Sequence, residues 1–142
     1  MADDNGYAYH KLAAWVIDSE GNKRIATASC ASRAQLGKVN VSATGRLSVG
    51  LYEIDSEFYT VGENVPDPES IRNKSYCYSE VNNVLVTNSI YQAGFSGHSI
   101  RLATGLPLKQ YFNNDGELNT KTKKKKKKSL QPLANPTGVD KE

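Results

Sequence analysis

Apolar and polar positions along this chain fall into short strand-like runs, then one run with helical spacing, then a polar tail. "KLAAWVI" (11–17) is almost continuously apolar, which predicts a strand covered on both faces. "DSEGN" follows as a turn, with Gly21 and Asn22 accepting positive φ. "KRIATASCA" then returns as the hairpin partner. Residues 32–40 are polar and read as a loop. "RLSVGLYEI" and "EFYTVG" predict a second hairpin around Asp55-Ser56, with Leu47, Val49, Leu51, Phe58 and Thr60 in alternation. "ENVPDPES" carries two prolines and is a loop. Val81, Val84, Leu85, Asn88, Tyr91 and Phe95 then recur every three or four residues, as one face of a helix. Ser79 can cap it, Glu80 suits its positive end, and Gly94 and Gly97 stop it. Tyr91 and Phe95 are expected to pack this helix on the sheet. "HSIRLATGLPL" reads as a buried strand ending at Pro107, and "LKQYFNNDGELN" as a short helix running into a turn at Asn114-Asp115-Gly116. The order predicts a mixed α/β domain over residues 1–120, with one helix crossing between strands. The segment 121–142 has too few apolar residues for a core and is expected to be an unfolded tail.

A chain of 142 residues suits one domain with a modest core. It contains no apolar run of ~18 residues, the length that spans a bilayer. It also lacks a basic segment followed by an apolar one at its start, so a cytoplasmic location is expected. Cys30 and Cys77 have no metal-type spacing and are expected to be reduced thiols. The net charge of +3 hides a division. Residues 1–120 carry ten basic against thirteen acidic side chains, and residues 121–142 carry eight Lys against two acids. A mildly acidic body is joined to a basic end. His10 reads as a flank of the first turn and His98 as a strand start, and neither belongs to a Ser/His/Asp or Cys/His set. Gly94 and Gly97 are not followed by a helix, so they form no dinucleotide signature.

"DNGYAYHK" (4–11) carries the most chemistry. Gly6 lets the backbone approach a ligand closely, and successive N–H groups can face phosphate oxygens. Lys11 would neutralise phosphate charge, and Asp4 could hold Mg²⁺ through its water shell. On spacing alone, a plain surface turn explains the same residues. Two landmarks carry the reading further. "DNGYAYHK" resembles the first phosphate loop of actin-like ATPases. "ATGLPLKQYFNNDGELNT" resembles the Thr-x-Leu-Pro-Leu segment of plasmid-segregation actins of the ParM/StbA family, here Thr104, Leu106, Pro107, Leu108, Tyr111, Phe112, Asn113 and Asn114. "YSEVNNVLVTNSIYQAG" resembles that family's helix and lies between them in the same order.

The resemblance spans residue 3 to about 128. It implies the first subdomain of the actin-like (RNase H-like) ATPase fold. It also implies ATP and Mg²⁺ as ligands, self-assembly into filaments that move plasmid copies apart, and an adaptor protein bound at a centromere-like site. Asp4, Asn5, Gly6 and Lys11 match the phosphate loop, with Asp4 near Mg²⁺ and Lys11 near the phosphates. Tyr7 and Ala8 stand where actins have Ser and Gly, so a small hydroxyl contact is missing. Only Met1-Ala2 precede the loop, where the family has an apolar strand, so the sheet is expected to lack its central strand. No second phosphate loop, water-positioning residue or adenosine loop follows residue 120, so the subdomain is expected to be truncated and hydrolysis by this chain alone is not expected. Lys123, Lys124, Lys125, Lys126, Lys127 and Lys128 have two readings. They belong to the family's basic helix, cut short near an adenine-rich run, or they bind DNA or RNA without sequence preference.

Overall fold

The computed structural model describes residues 1–39, 50–131 and 133. Two small sheets and a central helix make a mixed α/β fold. The first sheet opens with β1 (Ala2–Asn5), β2 (Tyr9–Ile17) and β3 (Lys23–Ala31). β2 and β3 form the predicted hairpin, with Trp15 opposite Ile25. Its turn is held by Asp18, whose Oδ1 accepts from the backbone N–H of Glu20 and Asn22 at 3.0 and 2.9 Å, and by Gly21 at φ 84°.

The second sheet contains β4 (Ala34–Leu36), β5 (Gly50–Ile54) and β6 (Glu57–Val61), in the order β4-β6-β5. β5 and β6 meet as predicted at Asp55 and Ser56, both at positive φ (48° and 69°), the backbone a two-residue hairpin requires. Leu47 and Val49 lie outside the described residues. β4 falls where a loop was expected: three residues pair with β6 and bury Ala34, a tertiary pairing too short to leave a periodic signal.

The helix α1 (Glu80–Gln92) begins at Ser79, whose hydroxyl accepts from the Asn82 N–H at 3.2 Å. Gly94, at φ 81°, ends it. Its buried residues are Asn82 to Val86, Asn88 and Ser89, more than the single face that the spacing predicted. Both sheets and the Tyr76–Tyr78 turn contact α1, and Lys126, from a helix near the chain's end, bonds to its Asn82. Val84 and Leu85 join Ala34, Tyr52, Tyr59, Val61, Ile71 and Tyr76 in the core. Tyr91 and Phe95 are only half-buried and lie outside that core.

The first sheet runs β3-β2-β1-β7, with β7 (Ala103–Thr104) parallel to β1. β1 therefore has partners on both sides, as does β2, and the expectation of a missing central strand is overturned. Ala2–Asn5, which includes the expected loop residue Asp4, fills that position. The buried strand expected over 98–107 shrinks to two residues, Ala103 and Thr104, paired with Ala2 and Asp3 of β1. Nor is β2 covered on both faces. His10 and Leu12 point towards α1, while Tyr9, Trp15 (68% exposed) and Ile17 lie on the open face beside Ile25.

α2 (Leu108–Tyr111) and a turn at Asn113–Gly116 follow as expected. The unfolded tail does not begin at residue 121: Thr120–Ser129 form α3, capped by the Asn119 side chain accepting from the Thr122 N–H at 3.0 Å. A run of like charges opposes helix formation in isolation. Here the helix docks on the body, and Lys126 is buried at 4% exposure.

Candidate functional site

The β1–β2 turn (Gly6–Ala8) stands at the carboxyl end of β1, beside the carboxyl end of its parallel neighbour β7. Ligands of open α/β sheets bind at such ends. A cavity of about 260 Å³ lies there, walled by Asp4, Asn5, Gly6 and Tyr7 on one side and Gly105, Leu106 and Pro107 on another. Asn73, Tyr76, Cys77 and Gln110 close it. The two stretches singled out in the sequence, almost a hundred residues apart, thus face each other across one hollow.

The turn is held firmly. The Ser32 hydroxyl donates to the Gly6 carbonyl at 2.8 Å, and the Ser32 N–H donates to the Ala8 carbonyl at 2.9 Å. Gly6 is required by space: a Cβ there would lie 2.9 Å from the Tyr9 carbonyl oxygen. Across the cavity, the Gln110 amide donates to the Lys74 carbonyl at 2.6 Å, and its oxygen accepts from Cys77 Sγ at 2.8 Å. Burial pushes the Cys77 thiol above its ordinary range, so it stays protonated at neutral pH.

Asp4 pairs with Lys11 in the antiparallel register, so both side chains lie on the open face of the sheet. Together they border a second, shallower hollow with Ala13, Thr27 and Ser29. Asp4, Asn5 and Gly6 therefore reach the cavity, while Lys11 is on the outer side of Asp4. Two polar groups at the β1–β7 junction lack partners: Asn5 Nδ2 and Thr104 Oγ1 are buried without a hydrogen bond. A buried donor without a partner is costly, and an anion in the cavity is the kind of acceptor that would satisfy it. Arg72, Lys74 and Lys109 border the adjoining groove, which shares Tyr7, Asn73, Pro107 and Gln110 with the cavity.

Among the described residues no group of three or more His, Cys, Asp or Glu side chains could enclose a metal. One carboxylate at the rim, Asp4, is the donor set Mg²⁺ tolerates, because that ion keeps most of its waters. Cys30 and Cys77 are both free thiols. No helix among the described residues is long and apolar enough to cross a membrane.

A buried polar cluster behind the loop escaped the sequence reading. His10 is 1% exposed, with Nδ1 3.1 Å from Asp3 Oδ1 and Nε2 2.9 Å from the Tyr76 hydroxyl. A carboxylate only accepts, so Nδ1 donates to Asp3, and Nε2 shares a hydrogen bond with the Tyr76 hydroxyl. Burial pushes the Tyr76 phenol up to about 12, which keeps it a donor. The expectation that His10 merely flanks the turn is thus corrected: it is a buried bridge between β1, β2 and the Tyr76–Tyr78 turn. A signal was present, since His10 shares the parity of Leu12 and must point inward with it.

Of the six lysines 123–128, five are exposed and Lys126 is not. Its ammonium donates to Asn82 Oδ1 at 2.6 Å inside the fold. Burial lowers its pKa to about 8. Lys125 lies 5.3 Å from the centre of the Tyr78 ring.

The strand order, the hairpin and the central helix have the architecture of the first subdomain of the actin-like fold. The crystal structure of Ta0583, an archaeal actin homolog, superposes with a TM-score of 0.55 at 18% identity, over 96% of this chain and 40% of that one. The family model described as plasmid segregation protein ParM, N-terminal, matches residues 1–138. The chain belongs to the ParM N-terminal family of plasmid segregation proteins. No curated protein matches it. It spans two fifths of the length of the archaeal homolog.

Proposed function

We propose that this chain supplies the first phosphate-binding half of a plasmid-segregation actin's nucleotide site. The observation that carries the reading is the meeting of Asp4-Asn5-Gly6 with Gly105-Leu106-Pro107 around a cavity at the ends of parallel strands. Small-molecule pockets usually measure about 300–1,000 Å³. At about 260 Å³ the cavity suits the phosphate end of ATP and leaves the nucleoside to other surfaces. In this reading the Asn5 amide donates to a phosphate oxygen, Gly6 admits it, and Asp4 holds Mg²⁺ through water. Lys11 contributes charge from the outer face. A bound Mg²⁺ would supply charge neutralisation of the phosphates. Self-assembly into filaments, an adaptor at a centromere-like DNA site and a cytoplasmic location complete the proposal for the whole protein.

With about half a site, this chain binds Mg·ATP weakly and does not hydrolyse it, because phosphoryl transfer needs several groups positioned at once. Calorimetric titration with Mg·ATP tests this. Weak binding that Asp4→Ala reduces is expected. Absence of binding at millimolar Mg·ATP would defeat the proposal. Steady hydrolysis abolished by Asp4→Ala would defeat the second half of it.

The nucleic-acid reading of the lysine run has less support. Five exposed lysines remain available to a phosphate backbone, but the run is a docked helix with one member buried. Salt-dependent duplex binding lost on neutralising Lys123, Lys124, Lys125, Lys127 and Lys128 would restore it.

A further inference from the structure

We propose that Lys126 is a positioning residue for the phosphate loop, acting through a chain of buried polar groups that ties α3 to both strands of the loop hairpin. This rests on the reading of Gly6–Ala8 as the phosphate loop.

The chain of groups starts at the Lys126 ammonium, which donates to Asn82 Oδ1. Asn82 is fully buried. Its amide nitrogen has no hydrogen-bond partner, and the Tyr76 hydroxyl is its neighbour. Tyr76 lines the cavity, its hydroxyl is hydrogen-bonded to His10 Nε2, and His10 Nδ1 donates to Asp3. The far ends are Asp3 and His10, each adjacent in sequence to a proposed site residue, Asp4 and Lys11. The chain of groups therefore ends beneath both sides of the loop.

Charge gives the second argument. Asp3 is 4% exposed, and its Oδ2 accepts no hydrogen bond. A buried carboxylate is tolerated only near a compensating charge. Lys126 is a buried cation whose charge attracts Asp3 across the interior. The groups facing Lys126 are Asp3 of β1, Cys77 of the Tyr76–Tyr78 turn and Asn82 of α1. Its five neighbours in the run are exposed, one of them (Lys125) over the Tyr78 ring, so none of them takes its buried place. One lysine of the run thus serves the site from inside, whatever the others do.

Hydrogen exchange of the whole chain, without nucleotide, tests this. Lys126→Met keeps the stem and removes the charge, and Lys124→Met is the control. In Lys126→Met the amides of Asp3–Tyr9 should exchange about tenfold faster, while those of Gly50–Val61 in the second sheet hold their protection. Lys124→Met should change neither. Equal loss in both regions would make Lys126 an ordinary stabiliser of the fold and overturn the proposal, as would unchanged protection of the loop. If Lys126→Met does not fold, Tyr76→Phe decides: it breaks the chain by one oxygen atom and should loosen the same amides selectively. Titration of the wild-type chain with Mg·ATP separates the two ideas. Failure to bind would defeat the phosphate-site reading, while the exchange result bears on the positioning route alone.

Discussion

Replacing His10 by Phe keeps a ring in the same space and removes both of its hydrogen bonds. The ring is 1% exposed, so water cannot enter to take over. Asp3 Oδ1 loses its partner at 3.1 Å, and Oδ2 already has none. The Tyr76 hydroxyl loses its partner at 2.9 Å. Orphaning a buried charge costs about 3–5 kcal/mol, and orphaning a neutral hydroxyl about 1–3 kcal/mol. The two are coupled through one side chain and do not add. A total near 3–5 kcal/mol is expected. A domain of this size holds about 5–15 kcal/mol, so the loss is a large fraction of it. Urea unfolding followed by far-ultraviolet circular dichroism measures it through α1 and α3. Trp15 fluorescence is a poor reporter, because that ring is 68% exposed in the native state. The decisive control is Asp3→Leu added to His10→Phe, which removes the orphaned carboxylate and should recover about 2 kcal/mol. His10→Phe within about 1 kcal/mol of wild type, or a double variant no more stable than the single, would refute the reasoning.

Other consequences can be measured on the same chain. Lys126 titrates near 8 when folded against 10.5 as an ordinary lysine, so the folded state releases its proton first. Between those values stability should rise with pH in wild type relative to Lys126→Met, by up to about 3 kcal/mol, and be flat below pH 8. A falling difference curve would contradict the sign. Comparison with Lys126→Met removes the opposing trend of the buried tyrosines and thiols, whose raised pKa values cost stability as pH rises. Gly6→Ala should force the turn off the Tyr9 carbonyl and weaken phosphate binding at least about tenfold, read by calorimetry. Ser56→Gly relieves a positive φ of 69° in the β5–β6 turn and should raise stability by about 0.5–1 kcal/mol in urea unfolding.

The patterns of residue types determined much of the local structure, because their causes are local. Gly21 turns the first hairpin, Ser79 caps α1, and Gly6 opens the turn between β1 and β2. The kinship was legible in the same way, through two short stretches and the helix between them. What the sequence could not show is which surfaces meet. α1 looked one-sided by its spacing, yet two sheets and the Tyr76–Tyr78 turn contact it, and Lys126 reaches it from α3. β2 looked covered on both faces, yet α1 lies on one, leaving Trp15 exposed. β7 is a strand only because β1 lies parallel beside it. The segment 121–142 read as unfolded for want of apolar residues, yet Thr120–Ser129 form α3, held on the body by the bond from Lys126 to Asn82. Asp3, His10 and Tyr76 are up to 73 positions apart, and each alone is an ordinary polar residue. Their role comes from burial, which makes every unpaired polar group expensive and so makes their mutual pairing decisive. Residue order sets turns, caps and alternation, but only tertiary packing decides which polar groups lose their water.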